Sequence, residues 1–440
     1  MVDAGPFSIE PDCFGQSVPC YALTFDKQGL CTSPKSFDHL ISFLGNDNRT
    51  DVILFSHGWN NDWPTALKRY MDFLRGVSES AKERPGMLPS DFRPVFVGVH
   101  WPSTILTWPS EDAPDIAGEE NDSDLLDPLT EILSSNEIDR LRTLLEQEKV
   151  DLEQARAFAS VIAPALLSTD DANEGNGPFG ADDLVNIWRH AGEVTAAQSG
   201  GSMTGGGFDD FGVPGGSDDI ASPSPAGFLD TFSPRNLARL ATVLMMKDRA
   251  GVVGAAGVAD VVRRVLNESA TRLHLVGHSY GAKVVMTALV RSLAVRPAHS
   301  VLLLQPAISH LAFAKDASGG TPGGFRQALK QVSTPIFTTY SPHDFPLTRI
   351  FHWAARRRTD LGEIQAAGAP PSKYAALGGY GPSGMVDGEA GERSLPEAGG
   401  KYDTIPTGVE LVTLNGAVGI TGHGDVTNPY TFWAMHNLMR

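Results

Sequence analysis

The chain has 440 residues, 41% of them hydrophobic, and a formal charge of −17. That is enough apolar material for one large domain with insertions or two modest ones, and too much for a disordered chain. The acidic balance excludes the basic stripe with which a nucleic-acid binder displaces counterions. It is also local: between Thr104 and Ser233 there are 26 acidic and 5 basic residues, and the rest of the chain is close to neutral.

Cys13, Cys20 and Cys31 are the only cysteines. An odd count without a C-x-x-C pair excludes a disulfide scaffold and argues against zinc; a Cys13–Cys20 bridge is the alternative to reduced thiols. The first 30 residues lack a basic start followed by an apolar run, so no signal peptide is expected. The most apolar long stretch, Ala241–Val262, carries Lys247, Asp248, Arg249 and Asp260 and is a poor membrane span. The expectation is a soluble, cytoplasmic protein.

In chain order, short β-branched runs fall at Tyr21–Phe25, Val52–Phe55, Val95–Val99, Leu273–Val276, Val301–Leu304, Pro335–Tyr340 and Val409–Leu414. Most are continuously apolar, the pattern of parallel strands covered on both faces. Helical patterns lie at Pro64–Ser80, Ala282–Val295 and Pro429–Met439. The alternation predicts an α/β fold with a mostly parallel sheet.

From Trp101 to Arg272 no strand is expected. Asp124–Leu167 reads as one or two helices and Leu237–Leu266 as helical, while Ser199–Gly227 is rich in Gly, Ser, Asp and Pro and reads as poorly ordered. The Gly251, Gly254 and Gly257 spacing points to close packing or to a break between two helices. Thr104–Ser233 is therefore read as an acidic insertion into a single domain. A second Gly/Pro-rich stretch, Gly362–Gly400, joins the sixth and seventh runs.

The chemistry centres on Gly277-His278-Ser279-Tyr280-Gly281. A lone G-x-S-x-G is weak, but here it follows the run Leu273–Val276 at once and opens a helix, the strand–turn–helix setting such a nucleophile needs. The alternative is a tight turn whose serine caps the helix. A serine nucleophile needs a base and an orienting acid, which in this architecture follow in the order Ser, Asp/Glu, His. Asp344 lies in the loop after Pro335–Tyr340, with Asp360 as the rival acid. His423, flanked by Gly422 and Gly424, follows the last strand. His310, His343, His352 and His436 are the alternative bases, and His278 is expected to point away from Ser279. His423 with Asp425 lacks a third ligand, so no metal is expected. Oxyanion donors are expected from the N–H of Tyr280 and from the loop after Asp51–Ser56, where Trp59 is the candidate and Asn60 the runner-up. The bland reading makes His57 and Trp59 packing residues. Gly379–Gly384 matches G-x-G-x-x-G by letters only, and Arg356–Arg358 reads as a solvated helix end.

Taken together, Ser56-His57-Gly58-Trp59-Asn60-Asn61-Asp62, Trp101-Pro102-Ser103, Met246–Gly254, the Gly277–Gly281 turn and Leu303–Ala307 resemble the α/β-hydrolase superfamily, and within it serine-esterase-like and lipase-like hydrolases. The resemblance covers roughly Ala22–Trp101 and Arg239–Asp425. It implies an α/β-hydrolase fold, Ser279 as nucleophile, Asp344 as acid, His423 as base, and no cofactor. The resemblance does not fix the substrate; a carboxylic ester, either a small molecule or a lipid, is the most economical expectation, and part of Asp124–Leu167 or Leu237–Leu266 is expected to form a lid or pocket wall. Acyl transfer, thioester or phospholipid cleavage, and a non-catalytic module of the same fold are the alternatives.

Overall fold

Central strands of a doubly covered sheet must be apolar on both faces, and the apolar runs become such strands. In the computed structural model they are β2 (Gln16–Thr24), β3 (Asp51–Ser56), β4 (Pro94–His100), β5 (Arg272–His278), β6 (Ser300–Leu304), β7 (Ile336–Tyr340) and β9 (Leu411–Asn415). Two further strands, β1 (Ser8–Cys13) and β8 (Ala390–Ser394), close the two edges of the sheet. The structure describes residues 4–59, 61–103, 133–145, 147, 150–163, 180–182, 184–185, 245–351, 375–397, 399–400, 402 and 405–440. Ser199–Gly227, Arg356–Arg358, Asn60, His352 and Asp360 lie outside these residues.

The nine strands run in the order β1-β2-β4-β3-β5-β6-β7-β9-β8, with every pairing parallel except β1 with β2. The edge strands escape the apolar pattern for a physical reason: an edge has a neighbour on one side only and tolerates polar residues. β8 reads Ala-Gly-Glu-Arg-Ser and none of it is fully buried.

Helices cover both faces. Alternate strand residues point to opposite sides. Val52, Leu54, Leu273 and Leu275 join a core with α1 (Pro34–Asn46), α5 (Ala259–Glu268) and α6 (Tyr280–Arg291). Ile53, Phe55 and Val276 join another with α2 (Trp63–Lys82) and α8 (Pro429–Leu438), and the one-turn α7 (Leu377–Tyr380) precedes β8. Helix α1 was not anticipated, although Phe37, Leu40, Ile41 and Leu44 have helical spacing and Pro34 opens its first turn.

Within the insertion, α3 (Ser135–Leu145) and α4 (Leu152–Ile162) are described. Ile138, Leu141, Phe158 and Ile162 are buried and belong to the same core as α1, α5 and α6. The glycine spacing around 251–257 serves close packing, and the helix does not break there. Gly254–Val258 form a π turn within helix 245–268. A Cβ on Gly257 would meet the Gly29 carbonyl at 2.1 Å, and one on Gly254 the Val284 carbonyl at 2.6 Å. Among the described residues no helix is long and apolar enough to cross a membrane.

Chain order reverses between β3 and β5: β4 and β2 lie to one side, β6, β7 and β9 to the other. In an open α/β sheet the crevice outside the carboxyl ends of the strands at such a point is where ligands bind.

Candidate active site

Strand β5 ends at His278, and Ser279 follows with φ 54° and ψ −125°. A non-glycine residue at positive φ is strained by roughly 1–3 kcal/mol and persists only where its surroundings over-determine it. Three contacts do so. The Ser279 N–H donates to the Leu304 carbonyl at 3.1 Å, and the Ser279 carbonyl accepts from the N–H of Ala282 and of Ala307. The flanking glycines are required sterically. A Cβ on Gly281 would lie 2.1 Å from the Ser56 carbonyl, and one on Gly277 2.6 Å from Ala282 Cα. Since Ser56 O belongs to a central strand and cannot move aside, Gly281→Ala is expected to lose about 3 kcal/mol or more. Gly45→Ala, at an exposed position of α1 with open space around it, is expected to gain up to about 1 kcal/mol. Urea unfolding of the two variants measures both.

Ser279 occupies the N-cap position of α6 without making a side-chain cap hydrogen bond, which removes the capping reading. Its Oγ lies 2.9 Å from His423 Nε2, and His423 Nδ1 lies 2.8 Å from Asp344 Oδ2. The three residues come from the carboxyl ends of β5, β7 and β9, and all are buried. Asp344 is satisfied as a carboxylate should be. Gln305 Nε2 donates to Oδ2 at 2.8 Å, and the Leu347 N–H donates to Oδ1 at 2.9 Å. Gln305 is in turn held by the Thr339 hydroxyl, which donates to its Oε1.

The loop bearing His423 is tied down on several sides. Ser341, from the acid loop, donates to the Ile420 carbonyl, and Asp425 accepts from the Thr421 N–H and hydroxyl. Asn428, the N-cap of α8, donates to the Gly419 and Asp425 carbonyls and to the Asp425 carboxylate. Asp425 is thus a brace of the loop. Among the described residues no three His, Cys, Asp or Glu side chains group as metal ligands would. The alternative bases stand elsewhere. His343 is bonded to the Ala417 carbonyl, His436 packs against Trp433 in α8, and His310 is buried on the segment after β6.

Beside the turn runs the loop after β3. A Cβ on Gly58 would sit 2.7 Å from Ser279 Cβ, so only glycine permits the approach. Trp59 is buried in the main core, as the packing reading has it, while its backbone continues the segment that passes Ser279. Residues 101–103 brace this loop. Trp101 stacks on His57 with the rings 2° from parallel, and its Nε1 donates to the His57 carbonyl. The Trp101 N–H donates to His57 Nε2, and His57 Nδ1–H donates to the Gly58 carbonyl. The Asn61 N–H donates to the Ser103 hydroxyl, which itself donates to the Asn61 carbonyl. Burial, followed by nearby His100, holds the His57 pKa at about 3, so this brace carries no charge at neutral pH.

His278, expected to point away from Ser279, reaches the histidine loop. Its ring centroid is 5.1 Å from that of His423, and its Nε2 lies 3.0 Å from the His423 carbonyl oxygen. The reason is packing: it is wholly buried between the loop after β3 and the histidine loop, with Arg69 of α2 on its other nitrogen.

A second Asp–His–Ser set lies at the opposite ends of the strands. Asp51 Oδ1 is 3.0 Å from His274 Nε2, and His274 Nδ1 is 2.8 Å from Ser300 Oγ. It lacks what the first set has. Ser300 begins a regular strand, away from any helix N-terminus, and Asp51 is engaged by a bidentate Arg272 and by Thr50. Burial alone would raise the Asp51 pKa, but the hydrogen bonds from Arg272, His274 and Thr50 outweigh it and hold the carboxyl at about 2. This set is a clasp joining β3, β5 and β6.

No protein-family model, no curated protein and no solved structure matches the chain. What the structure defines is an α/β protein whose mostly parallel nine-stranded sheet is flanked by helices and carries a Ser–His–Asp hydrogen-bonded chain at its carboxyl edge.

Proposed function

We propose that the chain is a serine hydrolase of the α/β-hydrolase type that cleaves carboxylic esters through an acyl-enzyme. The observation that carries this is the continuous Asp344–His423–Ser279 hydrogen-bonded chain ending on a hydroxyl at positive φ and the N-terminus of α6. Support also comes from chain order, with the nucleophile after the central strand, the acid after β7 and the histidine after β9, as such hydrolases require.

In this mechanism His423 Nε2 takes the proton of Ser279 as Oγ bonds to the ester carbonyl carbon. Asp344 keeps Nδ1 protonated, fixes the ring, and stabilises the imidazolium that forms. The carbonyl oxygen becomes an oxyanion. Its donors are the N–H of Tyr280, first residue of α6, and that of Trp59, on the loop that Gly58 brings against Ser279. Collapse breaks the ester C–O bond, and the imidazolium gives its proton to the leaving alcohol. Water then attacks the acyl-enzyme with His423 again as base, and the acid is released.

Because Ser279 is buried, a small activated ester is the appropriate first substrate. Assayed on aryl esters of increasing acyl length, beside phospholipid and thioester substrates, the protein is expected to turn over short aryl esters. Hydrolysis confined to thioesters, or none from a folded preparation, would overturn the carboxylester assignment.

A further inference from the structure

His278 has no task in the mechanism above, yet both its nitrogens are engaged. Arg69 approaches Nδ1 with one terminal guanidinium nitrogen at 2.7 Å, and Nε2 lies 3.0 Å from the main-chain oxygen of His423. A guanidinium has five donors and no acceptor. Nδ1 must therefore be the acceptor, which places the imidazole proton on Nε2, where it donates to the His423 carbonyl. In the opposite tautomer the Nδ1 proton would face a guanidinium N–H, and the Nε2 lone pair would face a carbonyl oxygen at 3.0 Å. Both contacts would be repulsive. Nor is the doubly protonated ring a way out, since burial, the Arg69 cation and the neighbouring His423 keep the His278 pKa well below its ordinary value.

We infer that Arg69 is a positioning residue: by holding His278 as its Nε2–H tautomer, it anchors the main chain of His423 and so the imidazole that faces Ser279. The consequence for turnover rests on the ester-hydrolase reading; the tautomer does not. The anchor matters because His423 sits in a loop well beyond the end of β9. Other ties hold residues 419–422, 424, 425 and 428, and Asp344 holds the imidazole, whereas this one acts on the main-chain carbonyl of residue 423. It also spans three layers, from α2 through the end of β5 to the histidine loop.

The test pairs spectroscopy with kinetics. In ¹⁵N-histidine NMR, with His278 assigned by comparison with His278→Asn, the wild-type ring is expected to show the neutral Nε2–H signature. Arg69→Lys should retain that signature, and in Arg69→Met the Nδ1 resonance should shift as its donor is lost. On a short aryl ester, Arg69→Met is expected to lower kcat by about 10²-fold, the scale of a misplacement near 1 Å. KM should change less than about twofold, because no substrate contact is removed. Arg69→Lys should recover most of kcat, since an ammonium can also donate to Nδ1. A wild-type His278 protonated on Nδ1, or a folded Arg69→Met protein with wild-type kcat, would overturn the inference. Should Arg69→Met fail to fold, the wild-type spectrum still decides. Should the wild type show no turnover at all, the hydrolase reading fails while the spectrum separately decides the tautomer.

Discussion

Ser279→Ala is expected to reduce ester turnover by about 10⁴-fold or more while leaving the fold intact, because it removes the attacking atom and little else. The hydroxyl makes no cap hydrogen bond to α6, and its partner is His423 Nε2. The backbone contacts that fix the positive φ, from Leu304, Ala282 and Ala307, do not involve the side chain and survive the substitution. The other buried serine in an Asp–His–Ser set cannot take over. Ser300 sits at the opposite ends of the strands, bonded to His274 within the clasp. Steady-state assays on a short aryl ester, with circular dichroism to confirm folding, measure the effect. Turnover within tenfold of wild type would show that Ser279 is not the nucleophile.

The second large effect is on stability below neutral pH. His57, His274, His278 and His436 are buried and all have lowered pKa values. Burial is the leading cause in each case, because it penalises the charged ring. A depressed pKa means that the unfolded chain binds protons the folded chain refuses. Stability is therefore complete above the unfolded value near 6.5 and declines as pH falls below it. His57, held at about 3, is still neutral when folded at pH 4 and withdraws about 3 kcal/mol there. Asp51, held at about 2, adds to the loss only below about pH 4. Urea midpoints measured from pH 8 down to pH 5 are accordingly expected to begin falling near pH 6.5, well before carboxylates titrate. Midpoints flat from pH 7 to pH 5 would contradict the neutral, buried state of these rings. Rates should therefore be measured where folding is shown to be complete.

How far the sequence announced this structure depends on what each residue has to satisfy. Strands β2 to β7 and β9 were legible because a strand covered on both faces must be apolar throughout. Strands β1 and β8 were not, because an edge carries no such requirement. The three residues at the carboxyl edge were legible for a different reason: each lies in the segment that follows a recognisable strand, and their chain order is constrained. Their supports were not legible. Gln305 behind Asp344, Arg69 behind His278, and Trp101 with Ser103 behind His57 and Asn61 pair residues from about 40 to more than 200 positions apart, and no local spacing encodes them. The Trp101-Pro102-Ser103 stretch was noticed as part of a resemblance, but its work as a brace emerges only from the hydrogen bonds. The same limit applies to His278, whose position inside the turn said nothing about Arg69, 209 residues away.

The most direct measurement is the site of covalent labelling. Incubated with a small fluorophosphonate, the folded protein is expected to gain the mass of one phosphonyl group. Peptide mapping should place that group on Ser279, and His423→Ala should slow its formation by several powers of ten. A folded protein that gains no adduct, or one that carries it on Ser300 or another serine, would contradict the assignment of Ser279, His423 and Asp344 as a working triad.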